Sequence, residues 1–85
     1  MSSKPNPSLP RIYADFNNAD KLGRLRLNCD GTKADLQRLG IALAEGMQLM
    51  FYMEDIECCG MVTFSSTENL WVGLIDWSKI RDMKA

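Results

Sequence analysis

Two glycines, Gly40 and Gly46, interrupt a long stretch of this 85-residue chain in which apolar residues recur at helical spacing. From residue 36 to residue 50 they return every three or four positions, which is typical of an amphipathic helix. A single helix here would hold both glycines in its interior, and each costs about 1 kcal/mol relative to alanine. We therefore expect a turn at Glu45-Gly46 followed by a strand, with one continuous helix from Thr32 onward as the alternative.

Alternation of apolar and polar residues predicts strands in the rest of the chain. Short loops should join the first two strands, and likewise the last two, as antiparallel hairpins. The last strand is apolar on both faces, so we expect it in the middle of the sheet. The five predicted strands are residues 11–16, 24–29, 47–53, 58–64 and 70–77.

One short helix is expected between the second and third strands. Thr32 followed by Asp35 resembles a capping box, and Gly40 followed by Ile41 fits a glycine-terminated helix end. These signals place the helix over residues 32–39. One final helical turn is expected over residues 78–83, with Ser78 as its cap.

The predicted fold class is β-rich α+β. We expect a small five-stranded antiparallel sheet with one short helix, either closed as an SH3-like barrel or strongly bent, in a single domain over residues 11–82. Residues 1–10, MSSKPNPSLP, hold all three prolines and are expected to form a flexible tail.

Composition limits the classes of function. Ten Lys and Arg against eleven Asp and Glu give a formal net charge of -1, so no basic excess attracts nucleic acid. No apolar run approaches the roughly 18 residues of a membrane span, and the N-terminus lacks the apolar core of a secretory signal. We therefore expect the cytoplasm. Three cysteines, two of them adjacent, predict reduced thiols rather than a disulfide framework.

No pattern in the sequence assembles a catalytic or metal site. Histidine is absent, which removes the usual metal ligand and general base. The spacing Asp15-x-Asn17-x-x-Asp20-x-x-Gly23 resembles a calcium loop but lacks the closing acidic ligand, so a polar turn is favoured. Cys58-Cys59 has neither the spacing nor the further ligands of a zinc site. We expect no enzyme activity, cofactor or metal.

Large apolar side chains on predicted sheet faces are the leading candidates for a contact surface. A domain this small cannot bury them all, and exposed Met and aromatic residues are used at recognition surfaces. The sequence thus predicts an interaction module that binds a protein partner, or a second copy of itself, through a sheet face or edge. Its predicted contact residues are Met50, Tyr52 and Trp71, with the acidic turn of Glu54, Asp55 and Glu57 setting orientation.

A nucleotide or RNA binder is the alternative function. Arg24 and Arg26 share a strand face, and the first hairpin would bring Arg11 and Tyr13 beside them. Guanidinium groups next to an aromatic ring bind phosphate and stack on bases. Cross-strand pairing of these arginines with Asp15 competes with that interpretation and is favoured.

Two family resemblances can be drawn. The segments IYADFNN and GRLRLNCDGT, the Glu45-Gly46-Met47 turn and the closing IDW resemble short bacterial proteins of uncharacterised function, over residues 11–81. That group supplies no catalytic or binding residues to transfer. Residues 41–75 more loosely resemble the later strands of PilZ-type barrels, which bind cyclic di-GMP. This likeness implies a barrel but not nucleotide binding, since Asp30-Gly31-Thr32 does not match the Asp-x-Ser-x-x-Gly signature of that family and the arginine signature is missing.

Overall fold

The structure, a computed structural model, describes residues 9–83. Its regular elements are a six-stranded sheet and one α-helix. The tail predicted for residues 1–10 lies outside the described residues except for Leu9 and Pro10. The Pro10 carbonyl accepts a hydrogen bond from Met50 N–H (2.9 Å), so Pro10 is joined to the sheet. In chain order the elements are β1 (Arg11–Tyr13), β2 (Leu25–Arg26), α1 (Asp30–Leu39), β3 (Gln48–Met53), β4 (Ile56–Ser65), β5 (Leu70–Ile75), a 3-10 turn (Trp77–Lys79) and β6 (Arg81–Asp82).

The sheet is open and mixed. Its strand order is β1-β3-β4-β5-β2, and β6 pairs with β4 beyond the end of β5. β1 runs parallel to β3, and every other named pair is antiparallel. A parallel pair requires a long crossover, which β2 and α1 provide here. The β-rich class with one helix is confirmed, whereas the all-antiparallel sheet is wrong and closure into a barrel is not confirmed.

The predicted first hairpin is wrong. β1 pairs with β3 at one edge of the sheet, and β2 pairs with β5 at the other. The turn at residues 20–23 does form, but the pairing beside it is an isolated antiparallel bridge between Ala19 and Leu25. Ile12 of β1 and Leu25 of β2 are both fully buried. β1 and β2 are therefore each paired with a strand that is distant in the sequence, and not with each other.

The strand predicted after the turn at Gly46 is confirmed, and the continuous helix is excluded. α1 ends at Leu39, where Gly40 adopts a left-handed conformation (φ 67°). Gly40 N–H donates to the Gln37 carbonyl and Ile41 N–H to the Leu36 carbonyl, which is the expected glycine-terminated helix end. The predicted turn before β3 is also present, with Gly46 at φ 82°.

Two glycines leave room for the central ring of the core. Phe51 is fully buried, and a Cβ added to Gly73 or Gly60 would lie only 2.7 or 2.9 Å from its ring. The ring therefore packs directly on the backbone of β4 and β5. The core cluster around it consists of Ile12, Ala14, Phe16, Leu25, Leu27, Leu49, Cys58 and Val62.

The predicted capping box does not form, because its two side chains have partners on another element. The N-cap of α1 is Cys29, with no side-chain capping bond. Thr32 Oγ1 donates instead to the Tyr13 carbonyl (2.6 Å), and Asp35 Oδ2 accepts from Tyr13 N–H (2.9 Å). Both are backbone groups of Tyr13 on the outer side of β1, so α1 covers this part of the sheet edge.

The C-terminal segment differs from the predicted helical turn over residues 78–83. β5 lies inside the sheet, as expected, but ends at Ile75. A 3-10 turn follows, and its cap is Asp76 rather than Ser78, since Asp76 Oδ1 accepts from Ser78 N–H (3.0 Å). The chain then returns as β6 along the first residues of β4.

Candidate functional site

One face of the sheet is directed away from the core, and we call it the open face. Directly paired residues in a sheet place their side chains on the same face. The register therefore arranges the open face in successive rows across the strands. Three of these rows are Leu74, Met61 and Gln48; then Cys59, Met50 and Arg11; then Glu57, Tyr52 and Tyr13.

The middle of the open face is apolar. Met61 is 43% exposed and Leu74 is 39% exposed, and beside them lie exposed Cys59 and half-buried Met50. We call these four residues the apolar strip. Leu9 approaches it from the N-terminal side and helps to line a groove of about 280 Å³. Exposed apolar side chains grouped on one surface are a common mark of a contact site.

One end of the open face carries two arginines on a shared carboxylate. Glu57 is 6% exposed and pairs with Arg11 (3.4 Å from Nη2 to Oε1) and with Arg81. The hydrogen bond from Arg81 lowers the pKa of Glu57, and the charges of both arginines act in the same direction, although burial opposes them. The Arg11 guanidinium also lies over the Tyr52 ring, 4.5 Å from its centroid. Glu57 is therefore held ionised.

A second carboxylate, Asp35 of α1, links the helix to the same end of the sheet. It accepts hydrogen bonds from Tyr52 OH (2.7 Å) and from Arg38 Nη2 (3.1 Å), in addition to Tyr13 N–H. Burial alone would raise the pKa of Asp35, but these hydrogen bonds outweigh it and the pKa is lowered. The bond to Asp35 in turn raises the pKa of Tyr52. Asp35 thus joins α1 to both β1 and β3.

The structure brings together only some of the predicted contact residues. Met50, Tyr52 and Glu57 share the open face. Trp71 lies on the opposite face, where its ring packs edge-on against Phe64 with centroids 5.1 Å apart. Glu54 and Asp55 form the turn between β3 and β4, but Glu57 belongs to β4 and is buried, so the expected acidic turn is shorter.

The four residues of the alternative arginine face are divided between two edges of the sheet. Arg11 and Tyr13 lie on β1, whereas Arg24 and Arg26 lie at or beside β2. Arg24 Nε binds Asp20 (2.8 Å). Arg26 makes two bonds to Glu68 (2.7 and 2.8 Å), so the expected pairing with Asp15 is replaced.

The loop that resembles a calcium site is a hydrogen-bonded turn. Asp20 accepts from Leu22 N–H and from both Arg24 N–H and Arg24 Nε. Burial would raise the pKa of Asp20, but the hydrogen bonds from Arg24 and Leu22 lower it. Asp15 accepts from Asn17 N–H. Across residues 9–83, no three His, Cys, Asp or Glu side chains are grouped as metal ligands.

The three cysteines are free thiols in different environments. Cys58 is buried, its Sγ lies 3.6 Å from the Asp76 carbonyl, and burial raises its pKa. Cys59 is exposed on the open face, and Cys29 is half-buried beside Thr32. Two adjacent strand residues thus point to opposite faces, as their positions predict.

Met61 and Leu74 are the contact candidates that the sequence interpretation missed. Both lie in strands that were correctly predicted, and both belong to apolar runs with no polar face. The sequence therefore marked both as apolar strand residues. It did not show which face of the sheet Trp71 and Leu74 each occupy, because that is fixed by the packing of Phe51 against Gly73.

Comparison with protein-family models, with curated proteins and with solved structures gives no match. The two family resemblances therefore stay predictions. Within residues 9–83, the single helix is too short and too polar to span a bilayer.

Proposed function

We propose that this protein is a non-enzymatic interaction module that binds a protein surface through the apolar strip of its open face. The observation that carries the proposal is the exposure of Met61 and Leu74 side by side on neighbouring strands, continuous with Cys59 and Met50. Burying such side chains against a partner contributes about 25 cal/mol per Å² of apolar surface removed from water.

The edges of the sheet are less suited to binding than its face. Strand addition needs free backbone donors and acceptors. At the β1 edge, Tyr13 N–H and C=O are both bonded to side chains of α1. At the β2 edge, Arg26 N–H donates to the Asn18 carbonyl, and the Arg24 carbonyl accepts from Asp20 N–H. At each edge, these backbone groups are thus already hydrogen-bonded within the chain, which favours the open face as the binding surface.

The carboxylates near the open face support a binding role over a catalytic one. A general base needs a carboxylate that reaches a substrate proton. Asp35 and Glu57 are instead buried and bound by neighbouring donors that hold them ionised. Their arrangement stabilises the sheet and positions Tyr52 and Arg11 beside the strip.

Capture from the protein's own cell extract tests this proposal when it is combined with a matched pair of variants. Met61→Glu places a charge in the apolar strip, whereas Leu22→Glu places one on another exposed apolar residue (75% exposed) outside it. We expect a partner to be retained by the wild type and by Leu22→Glu, and lost with Met61→Glu. With that partner purified, the backbone amide NMR signals of Met61 and Leu74 should shift on binding. Capture that is identical for all three proteins would refute the proposal.

A further inference from the structure

We infer that the apolar strip also binds a single Cu(I) ion, through the thiolate of Cys59 and the thioethers of Met50 and Met61. This site goes beyond the proposed function, because a metal ion can bind here without a protein partner. Three features support it: the grouping of sulfur side chains on one face, their spacing in the sheet, and the surroundings of the Cys59 thiol.

Three of the four side chains of the apolar strip carry sulfur. Cys59 and Met50 are directly paired across β4 and β3, and Met61 lies two residues beyond Cys59 on the same face of β4. Among residues 9–83, His, Cys, Asp and Glu side chains alone form no group of three that could hold a metal. The thioethers of Met50 and Met61 add two donors to the Cys59 thiol and complete a set of three.

The spacing of these residues suits a three-coordinate metal. Directly paired residues have Cβ atoms about 5 Å apart, and diagonal neighbours such as Met50 and Met61 are separated by about 7–8 Å. Residues two apart on one strand, such as Cys59 and Met61, are separated by about 6.6 Å. The unbranched methionine side chain has three rotatable bonds. With metal–sulfur bonds of about 2.3 Å, the length of a zinc–thiolate bond, the three sulfurs can therefore reach one ion above the sheet.

The Cys59 thiol is the one best placed to bind a ligand. Cys59 is exposed, and its Sγ has no hydrogen-bond partner in the part of the chain that the structure describes. The other two thiols are engaged: Cys58 Sγ lies 3.6 Å from the Asp76 carbonyl, and Cys29 Sγ lies 3.1 Å from Thr32 Oγ1. Cys59 thus keeps its lone pairs for an external ligand.

The donor set selects a soft monovalent ion. Thiolates and thioethers favour Cu(I), whereas magnesium, calcium and manganese favour oxygen ligands. Leu9 and Leu74 line the same groove as Cys59 and Met61, so the sulfurs lie in apolar surroundings. On binding, the S–H bond of Cys59 breaks, its proton passes to solvent and a copper–sulfur bond forms. One thiolate and one Cu(I) make a neutral centre.

Competition with bicinchoninate, a chelator that is coloured when it holds Cu(I), tests the inference under anaerobic conditions with ascorbate as the reductant. The wild type should withdraw one equivalent of Cu(I) per chain. Met50→Leu and Met61→Leu should each weaken the affinity by about 10–100-fold, because even residues that only support a metal ligand have effects of this size. Cys59→Ser should weaken the affinity further, since it removes the charged ligand.

Met53→Leu is the matched control. Met53 belongs to the same strand as Met50 but lies on the opposite face, where it packs against the core. Its replacement removes a thioether without touching the strip, so this variant should bind Cu(I) like the wild type. Circular dichroism of each variant checks that it is folded.

NMR of the methionine methyl groups gives a second test that needs no variant. Ag(I) is the probe, because it binds the same soft ligands and keeps its oxidation state. With one equivalent of Ag(I), the methyl signals of Met50 and Met61 should shift and that of Met53 should not. Equal shifts at all three methionines would show scattered binding and overturn the inference.

Two results of the competition experiment would also overturn it. One is a wild type that withdraws no Cu(I) from bicinchoninate. The other is Cu(I) binding by both Met50→Leu and Met61→Leu that is as tight as that of the wild type, since the thioethers would then not be ligands.

Failure of the copper site is distinguishable from failure of the proposed function. Met61→Leu keeps an apolar side chain in the strip but removes its sulfur, so it should retain the captured partner and bind Cu(I) more weakly. Met61→Glu should lose both. If Met61→Leu retains both, the copper site is wrong, whereas if Met61→Glu retains the partner, the proposed function is wrong.

Discussion

At the scale of single residues, the absence of a side chain matters as much as its presence. Gly73 and Gly60 lie under the ring of Phe51, and this contact lets the largest buried side chain rest on the centre of the sheet. Phe51 was correctly predicted to lie in a strand. Its contact with the glycines could not be predicted, because these strands come together only when the register is fixed.

Gly73→Ala should destabilise the protein by about 1–3 kcal/mol, since the added Cβ overpacks the core against the Phe51 ring. Urea unfolding followed by fluorescence measures this change. Phe51→Leu alone should also destabilise, but it should remove most of the cost of Gly73→Ala when the two are combined. Strictly additive losses would show that the ring and the glycine are not in contact.

At the scale of elements, local signals predicted where helix and strands lie better than they predicted their partners. Gly40 ended α1 as expected, since its left-handed conformation is a property of its own backbone. Thr32 and Asp35 fit a capping box, yet they bind the backbone of Tyr13, 19 and 22 residues away. No local pattern distinguishes these two uses of the same side chains.

Asp35→Ala should cost about 1–3 kcal/mol of unfolding free energy, because it leaves Tyr13 N–H and Tyr52 OH without their acceptor. Gln37→Ala is the control, since that side chain is exposed on the same helix. Hydrogen exchange gives a more specific measure: the Tyr13 amide should exchange faster in Asp35→Ala. Equal stability of the two variants would contradict the role of Asp35 as the link between α1 and β1.

At the scale of the whole molecule, three buried carboxylates tie segments of the chain together. Asp20 closes the loop before β2, Asp35 joins α1 to the sheet, and Glu57 binds arginines from both ends of the chain. Asp20 was correctly predicted to sit in a polar turn, from neighbouring residues alone. The partners of Glu57 could not be predicted, since Arg11 and Arg81 are 46 and 24 residues from it.

The protein should lose stability in acid. The pKa values of Asp20, Asp35 and Glu57 are all lowered in the folded state. Their contribution is complete above the carboxyl pKa of the unfolded chain, about 4, and is lost as pH falls through the lower folded values. Urea midpoints should therefore decrease from neutral pH to about pH 3. Glu57→Gln should show a smaller decrease than the wild type. An equal decrease would contradict the contribution of Glu57 to the loss of stability in acid.

The pairing of each early strand with a late one has a consequence for synthesis. β1 finds its partner at Met50–Tyr52, and β2 finds its partner at Val72 and Gly73. β1 therefore cannot join the sheet until residue 52 has left the ribosome, and β2 cannot join it until residue 73 has left. Folding during translation has no stable halfway stage to reach, and it should proceed as a single late event once the last hairpin has emerged.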